Sequence, residues 1–154
     1  VYQDFERDIF DALEDANYKL KNYSSLHLVY PKSRYFSKEI LDGFTRFSLS
    51  KKYKFTIIDK IEEVEIEKGS AFVVISDEDL VYIIKYCRKS NLEIGKDVGI
   101  LSYNENSTKE ILAGGITTIS TNHEKIGEVA ANMILTKKWD RVKIPFTLNF
   151  RNSL

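Results

Sequence analysis

The chain is poor in the residues that usually announce a mechanism. Its 154 residues include one cysteine, Cys87, two histidines, His27 and His123, two prolines and one tryptophan. A single cysteine excludes an intrachain disulfide and suits a reducing compartment, so a cytoplasmic location is expected. One cysteine and two histidines far apart in sequence make a poor zinc set. Charge of one sign is lacking as well: 23 basic residues balance 23 acidic ones. The basic excess of a nucleic-acid surface is therefore missing from these residues. No apolar run approaches the length of a membrane span, and no signal peptide opens the chain. No low-complexity linker or internal repeat divides it. Val1 stands where a start Met would be, so a piece of a longer protein is expected.

What the chain does contain is enough apolar material for one domain, at 43% hydrophobic and 30% charged residues,. Residues 4 to 20 place Phe5, Ile9, Leu13, Ala16 and Leu20 at helical spacing behind Asp4 as a cap. "SLHLVY" (25 to 30) has strand length. Ser37 caps a helix through Ile40, Leu41, Phe44 and Phe47, and "KFTIID" (54 to 59) reads as a strand. The acidic stretch that follows, "KIEEVEIEKG", reads as a solvated loop with a brief strand. "AFVVIS" (71 to 76) is a strand suited to burial on both faces. The helix after it buries Leu80, Ile83, Ile84 and Cys87 as one stripe. "DVGILSY", a short helical turn at "STKEIL" and the strand "ITTIS" come next. A helix over 122 to 137 carries Ile126, Val129, Ala130 and Met133, and "KIPFTLNF" reads as a half-exposed edge strand. This alternation predicts an α/β fold: three layers, a mostly parallel sheet with helices on both faces.

In such sheets ligands bind outside the carboxyl ends of the strands. Those ends are Tyr30 to Ser33, Asp59, Ser76 with Asp77, Asn104 with Glu105, and Ser120 with Thr121. These groups suit a polar, polyhydroxylated small molecule better than a naked phosphate. Asp77 and Asp79 point different ways on a helix, so capping and dipole complementation explain them better than a metal. "AGGI" precedes a strand, whereas phosphate loops follow one, and no nucleophile elbow or His-Glu metal pair is present. His27 reads as a packed residue, His123 as a capping or surface residue, and Cys87 as core. No catalytic residue, metal ligand or cofactor is assigned.

The segment from "AFVVISDEDL" through "LEIGKDVGI", "SYN", "ITTIS" and "IGEVAANMIL", with "SKEILDGFTRF" upstream, resembles the effector-binding domain of LacI/GalR transcriptional regulators. The resemblance implies one lobe of a type I periplasmic-binding-protein-like fold, with residues 1–154 as the C-terminal lobe. It also implies that helix 122–137 packs on a first lobe absent from this chain. Without that lobe, the helix is expected to dock on another copy or fold back on its own sheet. Also implied are a small-molecule effector, a carbohydrate, held between lobes, and a homodimer. DNA would be bound only through a separate N-terminal domain, and the "VYQDFE" style resembles regulators that join a GntR-type winged helix to this module. At the family's ligand positions stand Ser76 for an Asn, Asp77, Asn104 for an Asp, and Ile40 for an Arg. Lys38 is placed to supply a charge from the adjacent turn, and Ser33 and Thr121 complete the candidate set from the rim. The rival readings are a metal-dependent hydrolase using Asp77 or Asp59, and a lobe of a solute-binding protein.

Overall fold

The computed structural model describes residues 1–32 and 35–154, so the candidate Ser33 lies outside the described residues. Each long helix starts where a short polar side chain satisfies the free N–H groups of the first turn. Helix α1 (Phe5–Leu20) is capped by Asp4, which accepts from the Arg7 N–H at 3.1 Å. Helix α2 (Lys38–Ser50) is capped by Ser37, and α3 (Asp77–Lys89) by Ser76. Gly43 in α2 is there for room. A Cβ at that position would lie 2.2 Å from the Glu6 carbonyl oxygen and 2.4 Å from Ile9 Cγ2, so α1 and α2 approach backbone to backbone,.

Six strands form one sheet: β1 (Ser25–Val29), β2 (Lys54–Ile58), β3 (Ser70–Val74), β4 (Val98–Tyr103), β5 (Thr117–Thr121) and β6 (Phe146–Asn149). Their spatial order is β2-β1-β3-β4-β5-β6. The first five pair in parallel, and β6 adds antiparallel to β5 at the edge, directly after Pro145. Alternation along β3 builds both cores, as the consecutive apolar residues predict. Ala71, Val73 and Ile75 pack with α1 and α2, whereas Phe72 and Val74 pack with α3.

Two expectations are corrected. The acidic stretch after β2 holds no strand. It turns through a 3-10 helix at Ile61–Glu63, because Ile61 and Ile66 are drawn into the α3-side core while the glutamates stay outside. Helix α5 (His123–Thr136), capped by Asn122, does not fold back on the sheet. None of its residues is buried, and Ile134, Leu135 and the following Trp139 are exposed.

Three chain segments come together at the root of α5. Tyr2 bridges to Lys143, and Gln3 Nε2 donates to Thr121 Oγ1 at 2.6 Å. The short helix α4 (Ser107–Ile111) follows β4. No helix among the described residues is long and apolar enough to cross a membrane.

Candidate functional site

From β1 the chain moves outward to β2 and then returns to β3 on the other side of β1. The crevice at the carboxyl ends of β1 and β3 is therefore the topological switch point, where loops diverge and leave space. An open hollow of about 310 Å³ lies there, lined by Phe36, Ile75, Ser76, Asp77, Glu78 and Asn104. Of the residues expected from sequence, Ser76, Asp77 and Asn104 come together. Lys38, exposed on the first turn of α2, and Thr121, bonded to Gln3, stand outside that lining.

Each lining residue has a local reason for its position. Phe36 is held by Tyr30 at the end of β1: the rings meet edge-on at 6.1 Å, and the Tyr30 hydroxyl donates to the Phe36 carbonyl at 2.9 Å. Ser76 is buried and its hydroxyl is committed to the helix cap. It accepts from the Asp79 N–H at 3.2 Å and donates to the Asp79 carboxylate. Ser76 thus forms wall and is itself the cap, with the Asp79 carboxylate holding its hydroxyl in place. Asp77 turns the other way. Its Oδ1 lies 2.8 Å from Lys109 Nζ, and its Oδ2 accepts from Asn106 Nδ2 at 3.4 Å.

Asn104 is exposed and left-handed, with φ 61°, a conformation that Asn tolerates better than most residues,. Its N–H donates to the Ile119 carbonyl at 2.8 Å, which ends β4 against β5. Ile40 sits in the core between α1 and α2, so no cation reaches the hollow from that position. The hollow therefore offers an aromatic face, two carboxylates and a carboxamide. Phe36 suits the apolar face of a ring, and Asp77 and Asn104 suit hydroxyl groups.

Sequence reasoning missed Phe36, Lys109 and Arg151. An aromatic residue beside a helix cap at a strand end was a usable signal for Phe36. Lys109 resembles any lysine on a short surface helix, yet it is 2% exposed. Arg151, 46 positions from Glu105, reaches its Oε2 at 2.8 Å, where Thr118 and Asn149 also donate. Burial pushes the Glu105 carboxyl up, but these donors and the guanidinium charge outweigh it and hold the carboxyl below its usual range,.

Elsewhere the histidine and cysteine readings hold. His27 stacks on Phe72 at 5.0 Å, and burial pushes its pKa down. Cys87 is fully buried, and burial followed by the Asp97 charge raises its thiol to about 11. Asp59 accepts from the Lys32 N–H at 2.7 Å and so ties down the turn after β1. A second hollow, about 190 Å³, lies between α1 and β6, apart from the crevice of β1 and β3. Its Lys143 pairs with buried Asp8 at 2.9 Å.

Comparison with known proteins gives the following. The family model described as periplasmic binding protein-like domain matches residues 19–153. A sugar-binding LacI-family regulator from Escherichia coli, complexed with phosphate, superposes with a TM-score of 0.77 at 15% identity. That match covers 100% of this chain and 62% of the other. A probable maltose operon repressor from Staphylococcus aureus superposes with a TM-score of 0.74 at 20% identity, covering 98% of this chain and 60% of that one. A LacI-family regulator from Enterococcus faecium with bound ribose gives 0.74 at 15%, covering 98% and 63%. The chain thus spans about three fifths of these solved chains. Among curated proteins none matches it.

Proposed function

Because the chain belongs to the family of periplasmic-binding-protein-like domains, we propose that residues 1–154 are the C-terminal lobe of a regulator's effector-binding domain. The observation that carries this reading is the hollow at the switch point, open on one side and walled by Phe36, Asp77 and Asn104. It is half of a site, of the kind that a second lobe closes. Two further features support the reading: the solved chains of this fold extend well beyond the length of this one, and no residue of α5 is buried.

In this reading the effector is a carbohydrate, as ribose is in the Enterococcus faecium neighbour. Its apolar ring face lies on Phe36, and its hydroxyls bond to Asp77 and Asn104. Binding favours one arrangement of the lobes and shifts the population of a cytoplasmic homodimer between two states. DNA is contacted through an N-terminal domain outside this chain, a winged helix of GntR type. A hydrolase built on Asp77 or Asp59 is not favoured, since Lys109 engages the first and the Lys32 N–H the second.

The test is a thermal-shift and calorimetry screen of the protein carrying both lobes, against neutral sugars and sugar phosphates. Binding of at least one sugar is expected. Asn104→Ala and Asp77→Asn should each weaken it about tenfold, or roughly 1.4 kcal/mol. A sugar that binds equally well to both variants would remove this hollow from consideration.

A further inference from the structure

We propose that Lys109 is a positioning residue for the ligand rim, an inference that rests on the ligand-site reading above. Its ammonium is buried and uses its three donors on three acceptors: the Tyr103 carbonyl at 2.6 Å, the Asn104 carbonyl at 2.7 Å and Asp77 Oδ1 at 2.8 Å,. The first two acceptors are consecutive in the chain. In an extended strand, successive carbonyls point to opposite sides, so one ammonium cannot collect both. Here they converge because Asn104 has left the strand conformation, at φ 61°. The positive φ and the bound ammonium are two sides of one geometry.

That geometry sets the ligand groups. With its carbonyl turned inward to Lys109, Asn104 presents its carboxamide at the mouth of the hollow. The same ammonium fixes the Asp77 carboxylate, so one buried charge links the β3–α3 and β4–α4 loops that wall the site. The arrangement is locked from α4 as well: Asn106 Oδ1 accepts from the Lys109 N–H at 3.0 Å, and Asn106 Nδ2 donates to Asp77. Fold stability alone does not call for a buried cation, since an apolar residue of similar volume commonly serves a core as well or better. What a lysine supplies here, and methionine cannot, is three directed hydrogen bonds to the rim.

The experiment compares the protein carrying both lobes with its Lys109→Met variant by NMR without ligand, and then by titration with neutral mono- and disaccharides, ribose and maltose included. In Lys109→Met the left-handed chemical-shift pattern of Asn104 should disappear while the resonances of the α1–α2 core persist. Retention of that pattern overturns the proposal whether or not any sugar binds. The affinity for a sugar that binds the native chain should fall at least tenfold, and equal affinity likewise overturns it. Sugars that bind neither protein overturn the ligand-site reading instead, leaving the shift comparison to judge Lys109. If Lys109→Met does not fold, Lys109→Met with Asn104→Gly is the second variant, because glycine adopts positive φ unaided. Recovery of the fold supports a role at the rim, and failure to recover assigns Lys109 to the core and overturns the proposal.

Discussion

The Arg151 guanidinium donates to Glu105 Oε2 at 2.8 Å and to the Ile116 carbonyl at 2.8 Å, tying the segment after β6 to the end of β4. Glu105 directly follows Asn104, so this ion pair anchors the rim one residue beyond the carbonyl that Lys109 holds. Its carboxyl titrates below the usual range in the folded chain. A depressed carboxylate contributes stability above its unfolded pKa and loses it as pH falls through the folded value. Glu105→Gln should therefore lower stability by about 1–3 kcal/mol at neutral pH. The difference from the native chain should shrink between neutral pH and a pH below the lowered folded value of this carboxyl,. Urea denaturation at the two pH values measures both.

Gly43→Ala should destabilise the chain by about 2–3 kcal/mol, since the new methyl meets backbone that cannot step aside. The measurement is the urea midpoint. A change under about 0.5 kcal/mol would mean that α1 and α2 are not in close contact at this point.

Cys87 should be inert toward thiol reagents in the native chain at pH 8, because a thiol raised to about 11 holds little thiolate and is fully buried,. Labelling should accelerate at least about 100-fold in denaturant. Rapid native labelling would show that α3 opens from the sheet.

Helix α5 separates two conditions. Val129→Asp should cost less than about 0.5 kcal/mol in residues 1–154, where Val129 is half-exposed and no residue of the helix is buried,. With a first lobe present, the same change should cost about 2–4 kcal/mol, because a charge would then enter an apolar contact. Equal melting shifts in both proteins would dissociate α5 from any lobe contact.

Much of the fold was legible because burial follows period. Helices α1, α2 and α3 bury the apolar stripes that their spacing marked, and Asp4, Ser37 and Ser76 cap them. The acidic stretch after β2 was not legible. Its two isoleucines, 61 and 66, match no regular period, and only the neighbouring α3 core explains their burial. At the site, Ser76, Asp77 and Asn104 were found because strand ends converge in any parallel sheet. Their individual roles were not: Ser76 gives its hydroxyl to a cap, and Asp77 turns to Lys109.

The sequence by itself determined the alternation of strands and helices, the double burial of β3 and the convergence of Ser76, Asp77 and Asn104 at one rim. Each follows from hydrophobic period and capping chemistry, which act within a few residues. Tertiary structure decided which polar groups at that rim are taken up by protein partners. Lys109 meets Asp77 across 32 positions and Arg151 meets Glu105 across 46. Partnerships at that range are settled by how the elements stack, because every polar group taken out of water must find its acceptor or donor among whatever the packed elements bring within about 3 Å.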